Sequence, residues 1–343
     1  MISMTARRVR RRRRERARRQ VSKVSRTPVK HYVRRRGWVE AAKSRQGRLG
    51  GSYLQVLTLC GEDALDVLLF AREGLIRRDA RGFPDVSWCE WSAETAARLR
   101  MRLGRVRRSF LGSLEQLALG GDFDDWFPFD VVNLDFTALP FPRSQPPFNS
   151  TWKAIQAILR GQRSHGRGFE LFLTFNATRE PANEAAIRQL IEVVEQNFGI
   201  RPWSEQAFLA GSGSQSPNEL SVQAYDKFLL VCLPKFIARL ATDEQFVVKG
   251  LERFSYKRRP PWGATYSIVK FVLSLDPLPS PALRINVPPR HEIASQSYDE
   301  LVRSSFESPG VDVDQVLQYE PGLRQSLGDE VASLLQEVPP MGA

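Results

Sequence analysis

Apolar runs alternate with helical patterns over the first two thirds of the chain. Five runs have the length and composition of buried strands, and they cover residues 53–60, 85–90, 107–111, 129–135 and 168–176. A segment with helical spacing of apolar positions follows each run, at residues 64–73, 92–103, 113–119, 152–160 and 181–197. Five such units in series predict an α/β fold with a doubly wound, mostly parallel, Rossmann-like sheet.

The pattern changes beyond residue 200. A Gly/Ser-rich stretch at 211–217 has the composition of a linker, and a long helical pattern follows at 221–241. Two strand-like runs, 246–254 and 266–275, flank a turn-rich segment and predict a C-terminal β-hairpin. The remaining tail is Pro-rich at first and then weakly helical, at residues 298–306, 311–317 and 327–335.

Positive charge is concentrated at the N-terminus. Residues 1–36 hold 16 of the 50 Lys and Arg but only one of the 38 acids, Glu15, so the rest of the chain has a balance of −3 within the total of +12. A block of like charge with little apolar surface is typical of a disordered interaction tail, and phosphate is its natural partner. We therefore predict nucleic-acid binding by this arm, through Arg10, Arg11, Arg12, Arg13 and Arg14 among others. A solvated tail, a targeting run and an electrostatic membrane tether remain alternatives.

Three segments follow from these changes in composition. They are a basic arm at 1–48, an α/β domain at 49–276 and a C-terminal extension at 277–343. No apolar stretch has the roughly 18 residues of a membrane span, so no membrane association is expected. The three cysteines are widely spaced and the three histidines are isolated, which predicts no metal site and a reducing, cytoplasmic location.

Polar residues stand at the ends of the predicted strands. In parallel α/β folds, ligands bind beyond the carboxyl ends of the strands. Glu90 ends the second strand, where a carboxylate can accept hydrogen bonds from the two hydroxyls of a ribose. The alternative is that Glu90 only satisfies backbone amides at the start of the next helix. Trp88 before it is expected in the core, and Trp91 after it at the edge of an adenine site.

The order of these features resembles a class I S-adenosylmethionine-dependent methyltransferase. A glycine turn follows strand one, an acid follows strand two, and a polar tip follows strand four. The stretch Phe129-Asp-Val-Val-Asn-Leu-Asp-Phe-Thr137 resembles the "FDVIDLDPFG" strand of tRNA guanine-N2 dimethyltransferases. It is also similar to methyltransferase-like proteins of bacterial mobile and defence loci. The resemblance covers about residues 50–275.

This resemblance implies a role for each strand tip. Leu59, Cys60 and Gly61 match the cofactor-binding turn, and Glu90 matches the ribose-binding acid. Asn133 and Asp135 match the catalytic tip that faces the methyl donor and the substrate, while Thr174 and Asn176 line the same crevice. Two departures stand out, because the first turn has one glycine and the fourth tip lacks the usual paired prolines.

The predicted hairpin contains an aromatic and basic segment. Tyr256 or Trp262 could stack on a base while Lys257, Arg258 and Arg259 contact phosphates. A solvated hairpin tip with a structural tryptophan is an equal alternative.

Two functions remain open from the sequence. The first is methyl transfer from S-adenosylmethionine to a nucleic acid, with RNA favoured over DNA. The second is a catalytically inactive Rossmann-like subunit that binds nucleic acid or a partner protein, as in a bacterial defence system.

Overall fold

A single mixed sheet forms the centre of the molecule, which we describe from a computed structural model. The structure describes residues 26–104, 106, 108–120, 123–136, 139–140, 151–259, 265–279, 290–308 and 310–337. Its strands are β1 Val56–Thr58, β2 Ser87–Glu90, β3 Arg108–Leu111, β4 Val131–Asp135, β5 Phe169–Asn176, β6 Phe246–Arg258, β7 Tyr266–Pro277 and β8 Val311–Asp312.

The strand order confirms the predicted fold class. The sheet runs β3-β2-β1-β4-β5-β7-β6-β8, with β1 to β5 parallel to one another. β7 is antiparallel to β5 and β6, and β8 is parallel to β6. This is a doubly wound, mostly parallel α/β sheet with a Rossmann-like fold, and the predicted hairpin extends it beyond β5.

Twelve helices cover the sheet in the described part of the chain. α1 is one continuous helix built from Pro28–Val33, a π-helical turn Arg34–Val39, and Glu40–Arg48. The others are α2 Leu65–Arg72, α3 Ala93–Leu103, α4 Leu114–Leu119, α5 Thr151–Arg163, α6 Glu184–Ile200, α7 Pro202–Ser212, α8 Pro217–Gln223, α9 Tyr225–Asp243, α10 Arg290–Glu307, α11 Val313–Tyr319 and α12 Pro321–Gln336. None of these described helices is long and apolar enough to cross a membrane.

Two hydrophobic cores lie on opposite faces of the sheet, because successive strand residues point to opposite sides. In β5, Leu171 and Leu173 belong to the larger core, which packs against α5 and α9. Phe172 between them belongs to the second core, which contains α1, α2 and α12. Trp88 is fully buried in this second core, as the sequence predicts.

Part of the predicted arm is a docked helix, which corrects the boundary at residue 48. α1 buries Val33, Trp38 and Ala42, and it lies along β5. The rings of Trp38 and Phe172 stack with their centroids 5.7 Å apart. A Cβ on Gly37 would lie 2.9 Å from Phe254, so this glycine allows close packing of α1 on the sheet. The predicted disorder therefore does not apply to residues 28–48.

The C-terminal helices pack on the same body. α12 contacts α1 and α2, and α10 contacts α7, α9 and β6. The buried Arg253 of β6 donates to the carbonyls of Ser304, Ser305 and Ser308, which satisfies the last turn of α10.

The Gly/Ser stretch is the end of a helix and not a linker. α7 ends at Ser212, and Gly213 caps it with a left-handed backbone at φ +73°.

Candidate functional site

A crevice opens at the carboxyl ends of β1, β2, β3 and β4. Its volume is about 540 Å³, and every one of these four strand tips contributes to its wall. The predicted cofactor residues Leu59, Cys60, Gly61 and Glu90 all line it, as does Asp135. Its other lining residues are Glu62, Cys89, Trp91, Ser92, Glu94, Thr95, Arg98, Gly112, Ser113, Leu114, Glu115 and Phe136.

The turn after β1 forms the floor of this crevice. The Leu59 amide donates to the Asn133 carbonyl over 2.9 Å, and the Ala64 amide donates to the Gly61 carbonyl over 2.8 Å. Ala64 has a left-handed backbone, φ +47°, immediately before α2 begins. A Cβ added to Gly61 would meet no protein atom within 4 Å. Protein packing therefore does not require a glycine here, and the space beside Gly61 can admit a ligand close to the backbone.

Glu90 stands at the end of β2 with its carboxylate held by the backbone. The Ser92 amide donates to Glu90 Oε1 over 2.7 Å. Glu90 therefore satisfies a backbone amide at the start of α3, which is the alternative that the sequence leaves open. Burial raises the pKa of Glu90, and the amides of Ser92 and Trp91 partly offset this. Within the described residues no cation pairs with Glu90. The neighbouring Trp91 side chain is 80% exposed at the crevice edge.

The crevice is acidic. Its wall carries Glu62, Glu90, Glu94, Glu115 and Asp135. Arg98 is the one cation among the described lining residues, and it pairs with both Glu62 and Glu94. A low-dielectric cleft lined by one sign of charge attracts the opposite sign, so this crevice favours a cationic ligand and disfavours a phosphate-bearing one.

Asn133 lies beneath the crevice and does not line it. Its amide nitrogen donates to Thr58 Oγ1 over 3.1 Å and to Asp66 Oδ2 over 2.8 Å. Thr58 Oγ1 in turn donates to Asp66 Oδ2 over 2.8 Å. All three side chains are buried. This network holds β1, β4 and α2 together, which makes Asn133 a support for the strand tip in this structure.

Asp135 lies between the crevice and a smaller polar void under α1. Lys30 of α1 donates to Asp135 Oδ2 over 2.7 Å. Burial alone would raise the pKa of Asp135, but the charges of Lys30, Lys270 and Arg34 lower it below its ordinary value. Asp135 is therefore an ionised acceptor of hydrogen bonds and a weak base.

The two predicted residues at the tip of β5 face away from the crevice. Thr174 is buried, and its hydroxyl accepts a hydrogen bond from Lys270 Nζ over 3.0 Å. Asn176 Oδ1 accepts from the amide of Thr178 over 3.1 Å, which makes a local turn after the strand. Neither residue is among the lining of the crevice.

Three basic residues act on Asp135 but are not among the site residues predicted from the sequence. Lys30 and Arg34 come from α1, and Lys270 comes from β7. Lys270 is fully buried, with Nζ 4.5 Å from the ring centre of Trp38, and this burial lowers the pKa of its amine well below the ordinary value. Lys270 is the one charge in the apolar run 266–275, and this isolated charge is the signal that could have identified it.

The residues of the aromatic and basic hairpin segment differ in exposure, so only some of them are accessible to a nucleic acid. Tyr256 is 8% exposed and belongs to the second core, so its ring is not accessible for stacking on a base. This corrects the prediction, because Tyr256 points to the α1 side of the sheet. Lys257 and Arg259 are exposed, and the Arg258 guanidinium lies 5.7 Å from the ring centre of Tyr266. Trp262 and Arg10 to Arg14 lie outside the described residues.

Comparison with solved structures finds distant similarity. A candidate hemolysin from Streptococcus thermophilus aligns over 77% of this chain and 74% of its own, with 13% identity and a TM-score of 0.34. A candidate RNA methyltransferase from Pyrococcus horikoshii aligns over 69% and 81%, with 16% identity and a TM-score of 0.31. An S-adenosylmethionine-dependent methyltransferase from Anabaena variabilis aligns over 69% and 84%, with 11% identity and a TM-score of 0.30. No curated protein matches the chain.

One family model matches the chain over residues 123–339. The match begins before β4 and continues through α12, so it includes both the tip of the crevice at Asp135 and the C-terminal helices. It also crosses the predicted domain boundary at residue 277. The chain belongs to the PP_RS20740-like family.

Proposed function

We propose that this protein binds S-adenosylmethionine in the acidic crevice and methylates an amine of a nucleic acid, with RNA favoured. The observation that carries the proposal is the charge of the crevice at the strand tips. S-adenosylmethionine has a sulfonium and an ammonium against one carboxylate, so it is a net cation. A nicotinamide or flavin dinucleotide brings a pyrophosphate, which would be repelled by Glu90 and Glu115, the two acids of the wall without an ion pair among the described residues.

The residues of the crevice fit the cofactor. Glu90 is oriented by the Ser92 amide and keeps further lone pairs for the two ribose hydroxyls. The open space beside Gly61 permits close approach to the backbone. When bound, S-adenosylmethionine supplies an electrophilic methyl group. The contribution of the protein is alignment of the groups, which methyl transfer chiefly requires.

Asp135 is the residue that would hold the acceptor. An ionised carboxylate accepts hydrogen bonds from an amine, and it thereby fixes the direction of the nitrogen lone pair. Since the neighbouring cations keep the pKa of Asp135 low, its role is to orient the amine and not to remove its proton before transfer. Solvent can receive that proton after the methyl group has moved.

In this proposal the Arg-rich segment, residues 7–19, binds the phosphates of the nucleic acid. The crevice itself is acidic, so phosphates must be held elsewhere, and residues 7–19 contain ten arginines. Replacing Arg10 to Arg14 with alanine should weaken binding of a labelled oligoribonucleotide and flatten its dependence on salt. Unchanged binding in fluorescence anisotropy across a salt series would remove the nucleic acid from the proposal.

Calorimetric titration of the full chain tests the cofactor. S-adenosylmethionine should bind, and Glu90→Gln should weaken binding by about tenfold, or roughly 1.4 kcal/mol. Glu195→Gln is the matched control, since Glu195 is exposed on α6 far from the crevice. Absence of S-adenosylmethionine binding, or tighter binding of NAD, would contradict the proposal.

An inactive binding module is the second candidate function. The observation that favours it is the engagement of both predicted catalytic residues within the chain, since Asn133 is held by Asp66 and Asp135 is held by Lys30. Cofactor binding without methyl transfer to any nucleic acid would support this alternative.

A further inference from the structure

The segment that leads into α1 and the first turn of this helix place two cations on two acids beside the crevice. We define residues 26–30 as the strap. Arg26 donates to both carboxylate oxygens of Asp63, from Nε to Oδ2 over 3.0 Å and from Nη2 to Oδ1 over 2.8 Å. Lys30 donates to Asp135 Oδ2 over 2.7 Å. Asp63 follows the floor turn at Gly61, and Asp135 forms part of the crevice wall.

Lys30 presents the same chemistry to Asp135 as a substrate amine would. Both offer N–H donors on a nitrogen, and both are held by one carboxylate. The Asp135 side chain is 30% exposed and the Lys30 side chain 19% exposed, so a ligand can reach this pair. A carboxylate that already accepts a charge-assisted bond over 2.7 Å has less capacity to orient a second amine. Lys30 and an acceptor therefore compete for Asp135.

We infer that Lys30 holds the place of the acceptor amine at Asp135, and that the strap must leave this acid before an amine substrate can be methylated. The inference rests on the proposed function, and it adds the acceptor class and a means of control. The acceptor is an amine, and the free chain is held in a closed state by its own lysine.

The strap is less buried than the part of α1 that follows it, with Val29 only partly buried against the second core. Beyond it, His31 is fully buried with Nε2 2.9 Å from Glu330 Oε2, and Trp38 stacks on Phe172. The strap itself is one terminal turn, capped by a Thr27 hydroxyl that accepts from the Lys30 amide over 3.3 Å. A first helical turn has no hydrogen bonds to a preceding turn, so it opens at low free-energy cost.

The adjoining sequence supplies a means of opening. Ten arginines and Lys23 precede the strap within residues 7–23. A phosphate polymer attracted by this charge brings a high local concentration of anions beside Arg26, which is 39% exposed. Phosphate then competes with Asp63 for Arg26. Loss of that contact removes one of the two ion pairs of the strap, and the inference therefore predicts that nucleic acid frees Lys30.

Lysine acetylation read by mass spectrometry tests this on the full chain, without any assay of methyl transfer. The reagent is an acetyl succinimidyl ester, with and without a 20-nucleotide oligouridylate at low salt. Lys30 should react slowly in the free protein and at least about fivefold faster with the oligonucleotide, as expected for local opening. Lys43 lies on the same helix and is 46% exposed, so it is the internal standard for fast reaction. The buried Lys270 is the internal standard for absence of reaction. Lys30 reactivity equal to that of Lys43 in the free protein, or unchanged by the oligonucleotide, overturns the inference.

Lys30→Met gives the functional test, with Lys43→Met as the matched control. Removing the ammonium while keeping the side-chain length should lower the KM for a mixed-sequence 20-nucleotide oligoribonucleotide, whose adenine, cytosine and guanine bases carry exocyclic amines, by about tenfold, equivalent to roughly 1.4 kcal/mol. Lys43→Met should not change it. If S-adenosylmethionine fails to bind the wild-type chain, the proposed function fails, and the acetylation result still decides whether the strap opens. If transfer occurs and Lys30→Met leaves the acceptor KM unchanged, the inference fails while the proposed function stands.

Discussion

The two ends of the sheet use carboxylates in different ways. At the amino end, Asp130 and Glu170 are 2% and 0% exposed. Asp130 lies 3.0 Å from Arg167 and 3.7 Å from Arg45, and Glu170 pairs with Arg48. At the carboxyl end, Glu90 has backbone amides as its partners and no ion pair among the described residues. The two amino-end acids close the fold as paired charges, whereas Glu90 borders an open crevice without such a pair.

This difference separates stability from binding. A buried acid paired with arginine contributes to the fold, and loss of one partner leaves an uncompensated charge. A half-buried acid without a cation costs stability, because burial disfavours its ionised form. Such a cost is expected where a cationic ligand supplies the missing charge. The predictions below test this division, from the largest expected effect to the smallest.

Asp130→Asn should lower the free energy of unfolding by on the order of 3 kcal/mol, because Arg45 would remain buried without its counter-charge. The Arg45 side chain is 7% exposed, and the Gln55 amide also loses a charged acceptor at Asp130 Oδ2. Urea denaturation measures the change, with the exposed Asp85→Asn as control. Equal stability of both variants would show that the amino-end pairs do not support the fold.

Glu90→Gln should leave the stability unchanged or raise it by up to about 1 kcal/mol, because it removes a carboxylate that burial penalises. The amide oxygen can still accept from the Ser92 amide. The same variant is expected to lose cofactor affinity. A loss of more than about 1 kcal/mol of stability in urea denaturation would place Glu90 with the structural acids instead.

Cofactor affinity should also depend on pH through Glu90. Burial raises its pKa above the ordinary 4.5, so the carboxylate is ionised above that raised pKa and neutral below it. Binding of a cationic ligand is therefore full near pH 8 and falls as the pH is lowered through the raised pKa. Glu90→Gln should remove this dependence in calorimetric titrations between pH 8 and pH 5.

The smallest expected change in stability comes from substituting two glycines of α1, one exposed and one packed against the sheet. Gly47→Ala should raise stability by roughly 0.5 to 1 kcal/mol, since a Cβ there meets no atom within 4 Å. Gly37→Ala brings the same gain in helix propensity, but its Cβ would lie 2.9 Å from Phe254 Cε2. This overlap should lower the stability of the variant. Thermal unfolding of both variants distinguishes a docked α1 from a free arm, in which both substitutions would act alike.

Much of the fold could be predicted because its signals are local. The apolar run at residues 129–135 contains β4, and each of the strands β1 to β5 is followed by its own helix. The turn at Gly61 and the acid at Glu90 were identified for the same reason, since their positions depend only on where a strand ends. Both line the crevice.

The remaining features depend on contacts between distant residues. Lys30 meets Asp135 across 105 positions, and His31 meets Glu330 across 299. Seen alone, the segment that contains Lys30 has the composition of a disordered tail, and its docking depends on Phe172 of β5 and on Glu330 of α12. The sequence predicts Asn133 as a site residue because it lies near the end of a strand, but the direction of its side chain depends on Asp66 in α2.

The contact between His31 and Glu330 also sets an order for folding during synthesis. Its two residues lie 299 positions apart, so α1 leaves the ribosome long before its partner in α12 exists. At about 5 to 20 residues per second, that interval is on the order of 15 to 60 s. During this time the basic segment and the acidic strand tips are both present in the nascent chain without the contact that fixes α1. Completion of α12 is therefore the step that supplies the partner of His31 and adds the last packing surface for α1.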